Sequence, residues 1–178
     1  MNIKKTFLKL MAALLAAILL LPMAGCIRSR HIAVGAEWDG NYCYTVYDDN
    51  TAVIIAYTGS DEILRLPGDY KGKTVIGFGS KTFENCAGLR MVYLPESVTS
   101  LPPRLFVGCD DLAAIYVPTA VKSMGKNVIS DCPRFKTVLY AGTAEDWEKV
   151  NVGAVPWTDN YTLINADVVY SVDPYTNN

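Results

Sequence analysis

One histidine stands in the whole 178-residue chain, and it is His31, near the N-terminus. A Ser-His or Cys-His nucleophile pair inside a folded core is therefore excluded. A glycine-rich phosphate loop and a calcium-loop pattern are also lacking. Charge is sparse and never blocked: 16 bases and 18 acids are spread along the chain, leaving no basic footprint for nucleic acid. The acid pairs Asp48-Asp49 and Asp110-Asp111 sit in turn-like stretches, where solvated loop residues are the default. Glycoside hydrolysis would need two such acids facing each other across a cleft. The expectation is a protein that is not an enzyme, with no cofactor and no metal.

Long apolar runs are missing too, apart from Met11 to Leu21, which is short for a bilayer span of ~20 residues. With Lys4, Lys5 and Lys9 before it and small residues after it, residues 1–25 read as a signal peptide; a retained anchor is the other reading. Met23-Ala24-Gly25-Cys26 resembles a bacterial lipobox, with Met23 where Leu is usual. That resemblance implies a lipid on Cys26, export, and anchoring at the outer face of the membrane or cell surface; cleavage and release is the alternative. Removing three lysines leaves 13 bases against 18 acids, a mildly acidic exported domain. Residues 26–40 then read as a lipid-anchored tether, and 41–178 as a single domain.

What is present is a repeat. FENCAGLRMVYLPESVTSLPPRL (83–105) is followed by FVGCDDLAAIYVPTAVKSMGKNV (106–128), with few identities but every apolar position kept. At a period of 23, Phe83, Phe106 and Ile129 align, as do Cys86, Cys109 and Cys132. Leu89, Leu112 and Phe135 follow, then Val92, Ile115 and Val138, then Leu94, Val117 and Tyr140. An incomplete earlier copy carries Leu64, Leu66, Val75 and Phe78, with five extra residues inside GDYKGKT. A 20–29-residue period of this kind signals a leucine-rich repeat solenoid, in which no copy buries its apolar face alone. The expected architecture is β-rich: about three coils with one short parallel strand each, repeats over 60–141, a hairpin cap at 41–59 and a helix/strand cap at 142–178.

The pattern F-x-x-C-x-x-L-x-x-V-x-L-P-x-x-V-x-x-L resembles the BspA-type leucine-rich repeat proteins of bacterial surfaces. Tyr140-x-Gly142-Thr143-x-x-x-Trp147 looks like that family's closing segment, and YTVYDDNTAVIIAYTG (44–59) like its opening hairpin. The match covers roughly residues 42–150, and Leu101-Pro102 departs from the apolar-Gly pair kept as Phe78-Gly79 and Met124-Gly125. The resemblance implies a surface interaction role and names no partner.

The columns make local predictions. Asn85, Gly108 and Asp131, each preceding a Cys, are the types that tolerate positive φ, so a left-handed residue is expected there. Gly79 and Gly125 share a column with Pro102, whose ring fixes φ near −65°, so those glycines serve something other than positive φ. Asp48-Asp49-Asn50 reads as a hairpin turn, Thr143–Asp146 as a capping box beneath Trp147 and Val150, and 161–170 as a final strand or two. SVDPYTNN reads as a frayed tail.

Adjacent coils lie ~4.8 Å apart, so a disulfide in the Cys86/Cys109/Cys132 column is conceivable by distance. Side chains stacked in one direction suit a disulfide poorly, and buried free thiols are the favoured reading. Such a column does not converge on a metal. Cys43 is assigned only to burial near the hairpin.

The outward strand positions carry the functional expectation. Arg65, Tyr93, Tyr116 and Leu139 form one row, with Ile63, Met91, Ala114 and Thr137 beside it, a ribbon with little charge. Such a patch on a charged protein marks a contact site, although Tyr also simply suits strands. The face is a candidate for binding a protein or glycan partner in an adhesin-like role. The alternative is a structural envelope component that self-associates or assembles with other surface proteins.

Overall fold

The computed structural model describes residues 33–153 and 160–176. The expected signal peptide, Cys26 and the first part of the expected tether lie outside the described residues. Strand β1 (Ala33–Asp39) comes first, then β2 (Tyr42–Tyr47) and β3 (Thr51–Tyr57), β4 (Ile63–Arg65), β5 (Asp69–Tyr70) and β6 (Lys73–Phe78). The order β1-β2-β3-β6-β5 makes a five-stranded sheet at the front of the repeats. Its β2–β3 hairpin turns where expected, with Asn50 at φ 65°. Tyr44 stacks on Tyr70 at 3.9 Å and Tyr57 packs at 5.7 Å from Phe83, carrying the aromatic core from this sheet into the first full coil. Residues 33–39 are thus not tether, as expected from sequence, but an edge strand paired with β2. The AVGAEWD stretch alternates too weakly to signal a strand on its own.

The three coils follow. Residues 83–105 contribute β7 (Phe83–Glu84), β8 (Met91–Tyr93) and β9 (Ser100–Leu101). Residues 106–128 contribute β10 (Phe106–Val107), β11 (Ala114–Val117) and β12 (Ser123–Met124). The third has β13 (Ile129–Ser130), β14 (Thr137–Tyr140), helix α1 (Ala144–Trp147) and β15 (Asn151–Val152). Each coil therefore carries three short parallel strands rather than one, stacked into three sheets. Register follows the period: Phe83 opposes Phe106 and Phe106 opposes Ile129, while Val92 opposes Ile115 and Ile115 opposes Val138. Leu64 opposes Val92, so the five extra residues of the incomplete copy are absorbed before the next strand. Phe83 and Phe106 stack at 5.0 Å, and both are fully buried.

The corners obey the backbone expectations. Asn85, Gly108 and Asp131 have φ of 55°, 64° and 54°. A second left-handed column, Lys81, Arg104 and Asn127 at 61°, 56° and 50°, was hidden because the long charged side chains of Lys81 and Arg104 do not advertise positive φ and Asn127 alone does. Gly79 and Gly125 do not adopt positive φ. A Cβ on Gly125 would lie 2.5 Å from the Pro103 nitrogen, so this column is small because neighbouring coils approach there.

At the back, Thr143 caps α1 through the capping box with Asp146, and Trp147 meets Tyr140 edge-on at 5.0 Å. The segment expected as strand opens instead as a helical turn, α2 (Tyr161–Ile164), before β16 (Asp167–Val169). Asn160, fully buried, enters that turn at φ 64°. Its Oδ1 accepts from Val128 N at 2.8 Å, and its Nδ2 donates to Gly125 O at 2.7 Å and Gly153 O at 3.0 Å. Those bonds satisfy backbone groups at the end of the stack that no further coil meets. The described residues form one compact unit with its own core.

Candidate interaction face

The longest parallel sheet of the repeats runs β16-β14-β11-β8-β4. Its inward residues Leu64, Val92, Ile115 and Val138 are buried, so alternation turns their neighbours outward. The structure brings all six candidate residues to that outer face. One row runs Ile63, Met91, Ala114, Thr137 and the other Arg65, Tyr93, Tyr116, Leu139, in register. β16 extends them with Asp167 and Val169. A sequence signal for β16 existed: Asp167-Val168-Val169-Tyr170 echoes Thr137-Val138-Leu139-Tyr140.

The two rows differ in cover at one position, Tyr116. Ile63 is 64% exposed and Met91, Ala114 and Thr137 are half-buried, whereas Tyr116 is only 2% exposed. Tyr116 is therefore not the open outward residue expected from sequence. The reason is the tail, expected to fray, which folds back over this row. Ser171, at φ 58°, turns the chain; its N–H donates to Gly142 O at 2.8 Å, and that of Val172 to Tyr140 O at 3.1 Å. Arg65 lies over the Tyr93 ring at 3.8 Å and donates from Nη2 to Pro174 O at 2.9 Å. A cavity of about 330 Å³ remains between Tyr93, Tyr116, Pro95, Pro174 and Tyr175. A second, of about 450 Å³, lies between Leu139, Val169 and the tail.

The polar chemistry is modest. Tyr116 donates its hydroxyl to Glu96 Oε1 at 3.0 Å, and burial together with that acceptor pushes its phenol up. Glu96 is the carboxylate in the smaller cavity, and it is engaged by Tyr116. Asp111, one of the scattered acids, accepts from Arg134 on the next coil, and Asp49 accepts from Thr51. Among the described residues, no cluster of three or more potential ligands could hold a metal.

The described cysteines, Cys43, Cys86, Cys109 and Cys132, are buried free thiols. Cys109 bonds to Phe83 O at 3.2 Å and Cys132 to Ser130 O at 3.2 Å, inside the core rather than at the face. Hydrogen bonding with Cys109, then burial, pushes Cys86 and Cys132 up. Cys86, Cys109 and Cys132 pack within the hydrophobic core.

A family model for the BspA type leucine rich repeat region matches residues 71–149 in six copies. The fold is a leucine-rich repeat solenoid. A leucine rich cell surface protein from Faecalibacterium prausnitzii superposes with a TM-score of 0.53 at 26% identity, over 59% of this chain and 30% of that one. A leucine-rich repeat protein from Bacteroides capillosus superposes with a TM-score of 0.55 at 19% identity, over 76% of this chain and 97% of that one. This chain thus spans under a third of the first neighbour's length and nearly all of the second's. No curated protein matches it.

Proposed function

We propose that this solenoid is an exported surface module that acts by binding, with the outer face of its five-stranded parallel sheet as the contact surface. The observation that carries this reading is the row Ile63–Met91–Ala114–Thr137, apolar along most of its length, with Ile63 exposed and the rest half-exposed beside Arg65 and Tyr93. The partner is a protein or glycan on a neighbouring cell or host. The match to a BspA type repeat model and the likeness to a leucine rich cell surface protein support display outside the cell. The lipobox-like Met23–Cys26 supports a lipid anchor on Cys26. Three coils offer a small face, so useful affinity comes from many anchored copies acting together.

The test is binding of residues 27–178, displayed multivalently, to arrays of glycans and extracellular proteins. Binding lost in an Ile63→Ser, Met91→Ser form that still melts cooperatively supports the face. Binding that ignores this change removes it.

A second reading, assembly of the chain into an envelope structure, is favoured by β1. Among the described residues it pairs only with β2 and lies at the edge of its sheet, with Val34 and Trp38 exposed. Concentration-dependent self-association in sedimentation, lost on changing Trp38 and Val34, is its signature.

A further inference from the structure

The smaller cavity on the outer face is walled by β4, β8 and β11, by the connection at 94–97 and by the tail. The tail is a closed turn there. Tyr175 N–H donates to Asp173 Oδ1 at 2.8 Å, and Thr176 Oγ1 donates to Asp173 O at 3.2 Å. The backbone bonds of Ser171 and Val172 to the last coil fix one end of that turn, and the Arg65 bond to Pro174 O fixes its middle. Tyr175 is thereby held at the cavity with 81% of its surface in water. A ring fixed in the open adds nothing to the core, and it offers a flat apolar face to whatever enters.

The polar groups are few and opposite in charge. Arg65, laid over the Tyr93 ring at 3.8 Å, uses one N–H of its guanidinium fork on Pro174 O and keeps the rest. Glu96 accepts from Tyr116 at Oε1, which leaves its second oxygen for another donor. The volume, about 330 Å³, is at the low end of the range for ligand pockets, about 300–1,000 Å³, and suits one small ring.

These features select among ligand chemistries. A simple anion would gain Arg65 and meet Glu96, and a simple cation would gain Glu96 and meet Arg65. A side-chain amide could pair both groups but has no broad face for Tyr175. A pyranose ring has adjacent hydroxyls, each both donor and acceptor, and an apolar C–H face for an aromatic ring.

We infer that this cavity is a saccharide-binding site for one neutral pyranose ring, with Glu96 accepting from its hydroxyls, Arg65 donating to them and Tyr175 packing on its C–H face. This deepens the reading above by choosing glycan over protein, and it rests on that reading's claim that the outer face is where the chain binds. Arg65, Tyr93 and Pro174 also line the larger cavity, so a second ring of the same glycan has room beyond Pro174. One such site binds weakly, and many copies together supply the avidity.

The test titrates methyl α-mannopyranoside, methyl β-galactopyranoside, methyl β-glucopyranoside and the methyl glycoside of N-acetylglucosamine into residues 27–178, which include every residue described. Binding is read at millimolar ligand from NMR signals of the tyrosine rings. At least one glycoside is expected to saturate and to shift Tyr93 and Tyr175. Tyr175→Ala weakens it about tenfold and leaves the core intact. Glu96→Gln weakens it about tenfold as well, while its amide oxygen still accepts from Tyr116. Acetate and tetramethylammonium are the charged probes.

No saturable binding by any glycoside, or binding indifferent to both substitutions, overturns the inference. Tighter binding of acetate or tetramethylammonium at the same tyrosines overturns it too, since the site would then be one for a simple ion. If array binding to a protein still depends on Ile63 and Met91, neither of which lines the cavity, the proposed face stands without the saccharide site. Glycoside binding that needs Tyr175 and ignores Ile63 and Met91 supports the site and strikes the row beside it.

Discussion

The two faces of the five-stranded parallel sheet are built from alternate residues of the same strands, yet they behave differently. On the inner face Leu64, Val92, Ile115 and Val138 are uniformly buried and chemically alike. On the outer face cover is graded, from Ile63 in the open to Tyr116 under the tail, and chemistry changes at every step. The inner face is set by the repeat itself, since each coil meets its copy above and below. The outer face depends on what happens to lie over it, and that comes from residues 171–176, outside the repeat.

The sharpest contrast is between neighbours on β11. Ile115→Ala on the inner face should cost about 3 kcal/mol, the usual effect of truncating a fully buried side chain in a packed core. Denaturant unfolding at neutral pH reads this as a fall in midpoint with unchanged slope. A loss under 1 kcal/mol would mean that the stacked columns do not carry the core.

That inner face was legible from sequence because it is periodic. Val92, Ile115 and Val138 recur every 23 residues, and Asn85, Gly108 and Asp131 mark the corners by their tolerance of left-handed backbone. The corners at Lys81 and Arg104 were not legible, because geometry imposed by the stack overrides what those side chains prefer. The six face residues were legible as a set, since period-2 alternation follows once the strands are known. The state of Tyr116 was not: its cover is a non-repeating segment whose contacts are long-range, with Pro174 meeting Arg65 across more than half the chain. The same limit hid Asn160, a single residue whose value lies in three backbone groups it reaches from elsewhere.

Tyr116→Ala tests the outer face. Were the tail loose, this residue would be a surface tyrosine and its loss would be small. Buried under the tail and bonded to Glu96, it should instead cost about 2 kcal/mol. In the chain ended at Tyr170 the same substitution should cost clearly less, and the difference between the two backgrounds measures the coupling between Tyr116 and the tail. Equal losses in both backgrounds would show that the tail contributes nothing to its cover.

Alkaline titration gives a smaller effect spread over both the face and the front sheet. Burial pushes Tyr44 up to about 12, burial and the bond to Asp61 raise Tyr57, and burial and Glu96 raise Tyr116. In each case the folded chain holds the phenol protonated above the pH where the unfolded chain, near pH 10, loses it. This stabilisation is complete below about pH 10 and is lost as pH rises through the raised values. The unfolding midpoint should therefore hold from pH 7 to 9 and fall between pH 10 and 12, with a shallower fall in Tyr116→Phe. An identical slope in that variant would place the titration elsewhere.

The smallest effect on stability should come from Ile63→Ser. Ile63 sits on the outer face of an edge strand, with no coil beyond β4 in its sheet and most of its surface in water. Replacement exposes no cavity and strands no polar group, so stability should move by no more than about 0.5 kcal/mol. An isoleucine left in the open at such a position gains the fold almost nothing, while Leu64 beside it is 3% exposed and holds the first strand to the core. Stability unchanged with binding reduced would separate the two faces by function as well as by burial. A loss as large as that of Ile115→Ala would instead mean that something covers Ile63, and that the outer face is a second core.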